Sequence, residues 1–99
     1  MNSERTEMKY LIYMSLLEPY DENVKKMFQI EKKRVEKGEN WGKDTLFPIH
    51  NIITNGTSFM VVEANDTMKL AKYRQDYNGV LEIEIHAIKA FDEIRELYK

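Results

Sequence analysis

The chain has 99 residues, of which 42% are hydrophobic and 32% are charged, and this composition is typical of a soluble globular domain with one modest core. It has no cysteine, which excludes disulfides, thiolate catalysis, iron–sulfur clusters and cysteine-ligated zinc. The net charge of -2 argues against a dedicated nucleic-acid binder. No apolar run is long enough to span a bilayer and no export leader is visible, so we expect a cytoplasmic protein without membrane contact.

The first half of the chain predicts a strand followed by a helix. We expect residues 1–7 to be a disordered tail and residues 8–99 to form a single domain. The run from Met8 to Leu17 is apolar on both faces, which favours a central strand. A helix is predicted from Asp21, as its N-cap, to about Lys37. Its buried face should comprise the apolar residues at helical spacing, which are Val24, Met27, Phe28 and Val35.

The middle of the chain predicts a hairpin. The loop around Trp41 precedes a second strand, Leu46 to Thr54, where Pro48 indicates an edge position or a bulge. Asn55-Gly56 is a strong turn signal, because both residues tolerate positive φ. The third strand is predicted from Ser58 to Ala64. We interpret Trp41 as a hydrophobic plug, with closure over a pocket as the alternative.

The last third predicts a helix, a strand and a short terminal helix. The second helix follows Asn65–Thr67, and its inner side is predicted to be Leu70, Ala71, Tyr73 and Tyr77. The fourth strand, Val80 to Ile88, alternates between apolar and polar residues. The final helix, about Ala90 to Tyr98, carries one apolar stripe, composed of Phe91, Ile94 and Tyr98.

This element order predicts an α+β, ferredoxin-like βαββαβ fold with a C-terminal helix. Right-handed crossovers give an antiparallel sheet of order 4-1-3-2, with both long helices on one face. The other face would then carry apolar residues of the two central strands: Leu11, Tyr13, Phe59 and Val61. An apolar patch of this kind usually marks an interface or a ligand site, and two such sheets could cover each other in a symmetric dimer.

Three segments of the chain are similar to a known superfamily. They are Met8 to Ile12, Ser58 to Asp66, and Val80 to Ile85. They resemble the dimeric α/β-barrel superfamily, and within it a small uncharacterised family, domain of unknown function 3303. The resemblance, which covers about Met8 to Ile88, implies a homodimer with a pocket on the inner sheet face. It does not imply one reaction, because the superfamily includes monooxygenases, lactone isomerases, haem proteins, stress-response barrels and ligand sensors.

Glu63 and His86 are the candidate catalytic residues. In the predicted sheet they flank Leu11 at about 10 Å from each other, which suits a carboxylate and an imidazole reaching toward one bound molecule. Glu63 would be a base if burial raised its pKa, and His86 an acid or base near neutral pH. The alternative is that Glu63 is a strand-end carboxylate in solvent or paired with a lysine, and that His86 is a partly exposed residue of an edge strand. The candidate ligand-binding residues on the same face are Leu11, Tyr13, Ser15, Phe59, Val61 and Glu84.

Three functions remain open from the sequence. The first is a homodimer that binds a small, partly apolar molecule, with or without catalysis, and the second is a purely structural or regulatory homodimer. The third is an RNA-binding module of the RRM type, in which Tyr13 and Phe59 would stack on bases. Because Glu63, Glu82 and Glu84 would repel phosphates, we expect no nucleic-acid partner. We also expect no cofactor and no metal, since the polar residues of the fourth strand are more typical of a solvated edge.

Overall fold

The computed structural model describes residues 8–98, and the predicted disordered tail lies outside them. In chain order the elements are β1 (Met8–Leu16), α1 (Tyr20–Glu36), β2 (Thr45–Asn51), β3 (Ser58–Ala64), α2 (Thr67–Asp76), β4 (Leu81–Ile88) and α3 (Phe91–Arg95). Short 3-10 turns span Gly42–Asp44 and Glu96–Tyr98. Within these described residues, no helix is long and apolar enough to cross a membrane.

The four strands form one antiparallel sheet in the order β2-β3-β1-β4. This is the predicted ferredoxin-like α+β arrangement, with β1 and β3 in the centre. The pairing of β2 with β3 is irregular on both sides of Phe47. Pro48 lies in this irregular stretch. An edge strand tolerates proline, although proline has no N–H to donate to a neighbouring strand. The strand order confirms the predicted edge position of β2.

The core lies between the sheet and the two long helices, on the face that alternation predicted. Ile12 of β1 and Val62 of β3 are fully buried. Leu70 and Tyr73 of α2 pack onto the same cluster. Trp41 is also part of this core, and its ring meets Tyr73 edge-on at a centroid distance of 5.5 Å. The interpretation of Trp41 as a hydrophobic plug is confirmed.

The predicted buried face of α1 is partly wrong. Phe28 is 58% exposed and Val35 is 55% exposed, whereas α1 buries two polar residues, Asn23 and Arg34. The Asn23 Nδ2 donates hydrogen bonds to the carbonyl oxygens of Leu17 at 2.9 Å and Gly79 at 3.4 Å. These polar contacts set the rotation of α1 about its axis, since a buried amide or guanidinium must find partners.

Three smaller expectations also differ from the structure. Helix α1 starts at Tyr20, so Asp21 lies in its first turn and is not its N-cap. On α2, Ala71 is exposed, although we predicted it on the inner side. The second strand ends at Asn51 and not at the predicted Thr54, so the β2–β3 connection is longer than expected, and Ile52 N donates to Thr57 O at 2.7 Å within it.

Truncation of Phe28 and Ile83 should therefore have very different effects on stability. Phe28→Ala should lower the free energy of unfolding by less than about 1 kcal/mol, because an exposed ring leaves no cavity. Ile83→Ala should cost about 2–5 kcal/mol, because Ile83 is buried in the core cluster. Urea melts of the two variants, analysed with a common slope, measure both values. A loss above 2 kcal/mol for Phe28→Ala would contradict the observed rotation of α1.

Candidate functional site

The sheet face opposite α1 and α2, called here the open face, brings together the residues that sequence alternation assigned to it. They are Leu11, Tyr13 and Ser15 of β1, Phe59, Val61 and Glu63 of β3, and Glu82, Glu84 and His86 of β4. The β1 and β3 members are half-buried, whereas the β4 members are exposed. The open face therefore has an apolar centre and a polar margin along β4.

Aromatic rings run across the open face from β4 to β2, and we call these five residues the aromatic stripe. Tyr13 meets His86 edge-on at a centroid distance of 6.0 Å, and it lies 6.5 Å from Phe59. Phe59 stacks on Phe47 at 5.6 Å, and Phe47 stacks on His50 at 4.7 Å. Phe47 and His50 were not among our candidates, because the irregular pairing of β2 hides which of its residues share a face. The stripe shows that all four strands contribute to one aromatic surface.

The two candidate catalytic residues lie on the same face but not side by side. His86 lies opposite Leu11, as expected, whereas Glu63 lies opposite Lys9, one row farther along β1. The expectation that Glu63 flanks Leu11 is therefore wrong. The carboxylate near His86 is that of Glu84, with 3.6 Å between Glu84 Oε1 and His86 Nε2.

A cavity of about 410 Å³ opens at the end of the open face nearest the β2–β3 turn. Its walls come from β1, β4 and that turn: Tyr13, Ser15, Ile52, Asn55, Thr57, Glu82 and Glu84. Three of our candidate ligand-binding residues, Tyr13, Ser15 and Glu84, are among them. The other candidates lie on the open face outside this cavity. Ile52, Asn55 and Thr57 were missed, although the Asn55-Gly56 signal had placed a turn there.

The cavity walls are rich in hydrogen-bonding groups. Ser15 Oγ and Thr57 Oγ1 are 3.2 Å apart and share one hydrogen bond, while Thr57 N donates to Asn55 Oδ1 at 3.0 Å. Glu82 and Glu84 add carboxyl groups, which in the ionised form act as hydrogen-bond acceptors and not as donors. The Tyr13 ring and the Ile52 side chain are the apolar part of the wall. Such walls suit a molecule with an apolar body and a hydrogen-bonding end.

No metal site accompanies this cavity. Within residues 8–98, no group of three or more histidine, aspartate or glutamate side chains is placed to hold a metal ion. A second cavity, of about 390 Å³, lies on the helix side between α1 and the sheet. Apolar residues provide much of its wall, among them Met14, Met27, Phe28 and Ile49. The exposed Phe28 ring lines this second cavity. A substitution there can therefore serve as a control when binding at the open face is measured.

Comparison with known proteins places the chain in a family. It is similar to the crystal structure of PA3566 from Pseudomonas aeruginosa, with 12% identity over 89% of this chain and 98% of that one, at a TM-score of 0.49. It is also similar to a conserved protein from Methanosarcina mazei Go1, with 13% identity over 86% and 95% of the two chains and a TM-score of 0.45. No curated protein matches the sequence. The family described as a domain of unknown function, DUF3303, matches residues 8–99, and the chain belongs to it.

Proposed function

We propose that the protein is a homodimer whose open faces meet and hold a small, partly apolar molecule between them. The observation that carries this proposal is the aromatic stripe, together with Leu11 and Val61, on a sheet face opposite the two long helices. Leaving apolar surface in water costs about 25 cal/mol for each Å². A contiguous patch of this kind therefore favours a partner surface or a ligand.

The arrangement of the open face favours a second copy as the partner. In a two-fold dimer the same patch must match itself, so an apolar centre meets an apolar centre and a polar margin stays near water. On its β4 side the open face has this plan, because half-buried apolar residues of β1 and β3 lie next to exposed polar residues of β4, whereas the β2 side carries the exposed ring of Phe47. Interfaces in general combine an apolar core with a polar rim.

The proposed ligand site is the cavity beside the aromatic stripe. Tyr13 belongs to both, so a molecule in the cavity would lie against the stripe and direct its polar end to Ser15 and Glu84. His86 and Glu84 are our candidates for proton transfer, since an imidazole close to a carboxylate is a common acid–base arrangement. Glu63 remains a candidate base on the same face, in the row of Lys9.

The two parts of the proposal are tested by sedimentation equilibrium and by a neutral fluorescent probe, N-phenyl-1-naphthylamine. The parent chain should sediment as a dimer and should bind the probe with enhanced fluorescence. Tyr13→Ala should weaken probe binding at least about tenfold, because it removes the aromatic part of the cavity wall. The control is Phe28→Ala, which changes the helix-side cavity and should leave binding unchanged.

Each alternative function gives a different result in the same assay. If the chain is a dimer that binds no probe, or if binding responds only to Phe28→Ala, the ligand site on the open face is contradicted. The structural homodimer would then be the remaining function. Competition by single-stranded RNA at moderate salt would favour the RNA-binding alternative, in which Tyr13 and Phe59 stack on bases. We expect no competition, because Glu63, Glu82 and Glu84 lie on the same face. A stable monomer would contradict the proposal as a whole.

A further inference from the structure

The C-terminal segment, residues 91–98, is called here the C-terminal arm, and it carries apolar side chains that its own chain leaves exposed. It consists of α3 and the 3-10 turn that follows. Phe91 is 71% exposed, Leu97 75% and Tyr98 84%, and Ile94 is the least exposed apolar member. Exposed aromatic and aliphatic side chains on one short amphipathic segment are typical of a surface that packs against a partner.

The arm begins next to the open face. Only Lys89 and Ala90 separate it from Ile88, the last residue of β4. Ile88 pairs with Lys9 and is two residues beyond His86, so alternation puts it on the open face. The arm therefore follows in the chain, after two residues, a residue of the surface that we propose as the dimer interface.

The size of the open face gives an independent reason for assigning the arm to the interface. Four strands of about seven residues give the sheet face a planar footprint of roughly 450 Å², and stable interfaces bury about 800 Å² of accessible surface on each partner, so the open face is at the small end of what a stable dimer needs. An aromatic side chain can bury roughly 150–250 Å². Because Phe91 and Tyr98 are mostly exposed, packing them on the second copy would add to the buried area.

We propose that the C-terminal arm of each protomer packs on the second copy and extends the interface formed by the open faces. This inference rests on the proposed function, because it assumes that the open faces form a dimer. It assigns a role to the apolar stripe that the sequence predicted on the last helix. It also means that a dimer formed by the open faces alone would be weaker than the dimer that includes the arms.

A spin label at Leu97 tests this inference directly. The chain has no cysteine, so Leu97→Cys gives a single site for a nitroxide. The label should be immobilised in the dimer and mobile when Val61→Lys, on the open face, is added to separate the protomers. The control is Met68→Cys on α2, which is 69% exposed and should carry a mobile label in both backgrounds. In sedimentation, Leu97→Ser should raise the dimer Kd at least about tenfold.

The outcomes separate failure of the arm from failure of the dimer. A label at position 97 that is mobile in both backgrounds, or immobile in both, overturns the arm inference while the open-face dimer stands. An unchanged Kd for Leu97→Ser overturns it as well. A parent chain that sediments as a monomer overturns the proposed function, and the arm inference with it.

Discussion

Val61→Lys should convert the proposed dimer into a folded monomer. Val61 lies in the middle of β3, opposite Leu11 on one side and Phe47 on the other, so it lies at the centre of the open face. A lysine ammonium held between two apolar sheets would cost several kcal/mol without a partner. A cost of about 3 kcal/mol at one position raises Kd more than a hundredfold, and a two-fold dimer contains the substitution twice.

The matched control for this substitution is Val35→Lys. Val35 is 55% exposed on α1, which packs on the other side of the sheet, so the same change of residue should leave both dimerisation and folding intact. Sedimentation equilibrium measures the Kd of each variant, and circular dichroism checks that Val61→Lys is still folded. A Val61→Lys chain with the Kd of the parent would place the interface elsewhere on the molecule.

The strands and their faces could be predicted because alternation with a period of two is a local signal. Ser58–Ala64 has the predicted bounds, and Leu11, Tyr13, Phe59 and Val61 lie half-buried on the same sheet face, as alternation predicted. The sheet order followed from the rules of connection between strands. These features depend on near neighbours in the chain, and the apolar pattern therefore determines them.

The rotation of α1 could not be predicted in the same way. Its apolar residues indicated one face, but Asn23 and Arg34 are buried because of partners far away in sequence, at Gly79 and Asp76. A buried polar group costs more free energy without a partner than an apolar group loses by partial exposure. The sequence of α1 alone therefore does not indicate where those hydrogen-bond partners lie.

The position of Glu63 shows a second limit. A slip of one residue between β1 and β3 would move every side chain to the other face, so alternation excludes it. A slip of two residues keeps every residue on its face, and alternation cannot detect it. The structure places Glu63 opposite Lys9 and not opposite Leu11, so the face was predictable whereas the row was not.

The helices are joined by a network of charged residues around Arg34. Its guanidinium donates to Asp76 Oδ2 at 2.8 Å and to the carbonyl oxygen of Glu39 at 2.6 Å, and it lies 4.8 Å from the centroid of the Tyr73 ring. Lys72 Nζ donates to Asp76 Oδ1 at 2.9 Å. Burial of the Tyr73 hydroxyl raises its pKa, although the Arg34 charge acts in the opposite direction. The network therefore links α1, α2 and the loop after α1.

Arg34→Met should destabilise the fold by about 3 kcal/mol, at the low end of the effect of breaking a buried ion pair, because Lys72 still contacts Asp76. The variant removes the partner of a carboxylate whose side chain is only 18% exposed. The control is Lys33→Met, at the exposed neighbouring position of α1, which should change stability by less than about 0.5 kcal/mol. Urea melts give both values, and equal losses would mean that the Arg34 contacts contribute nothing.

The pH dependence of this loss identifies the carboxylate involved. Burial alone would raise the pKa of Asp76, but hydrogen bonds from Lys72 and Arg34 outweigh it and hold the pKa below its ordinary value of 3.8. A carboxyl whose pKa is lower in the folded state stabilises the fold above its ordinary pKa, and this contribution is lost as the pH falls through the folded value. The stability difference between the parent and Asp76→Asn should therefore be largest near neutral pH and should shrink below about pH 4. In the Arg34→Met background the same difference should be smaller at every pH, because one of the two donors to Asp76 is gone; an unchanged difference would show that Lys72 alone determines the pKa of Asp76.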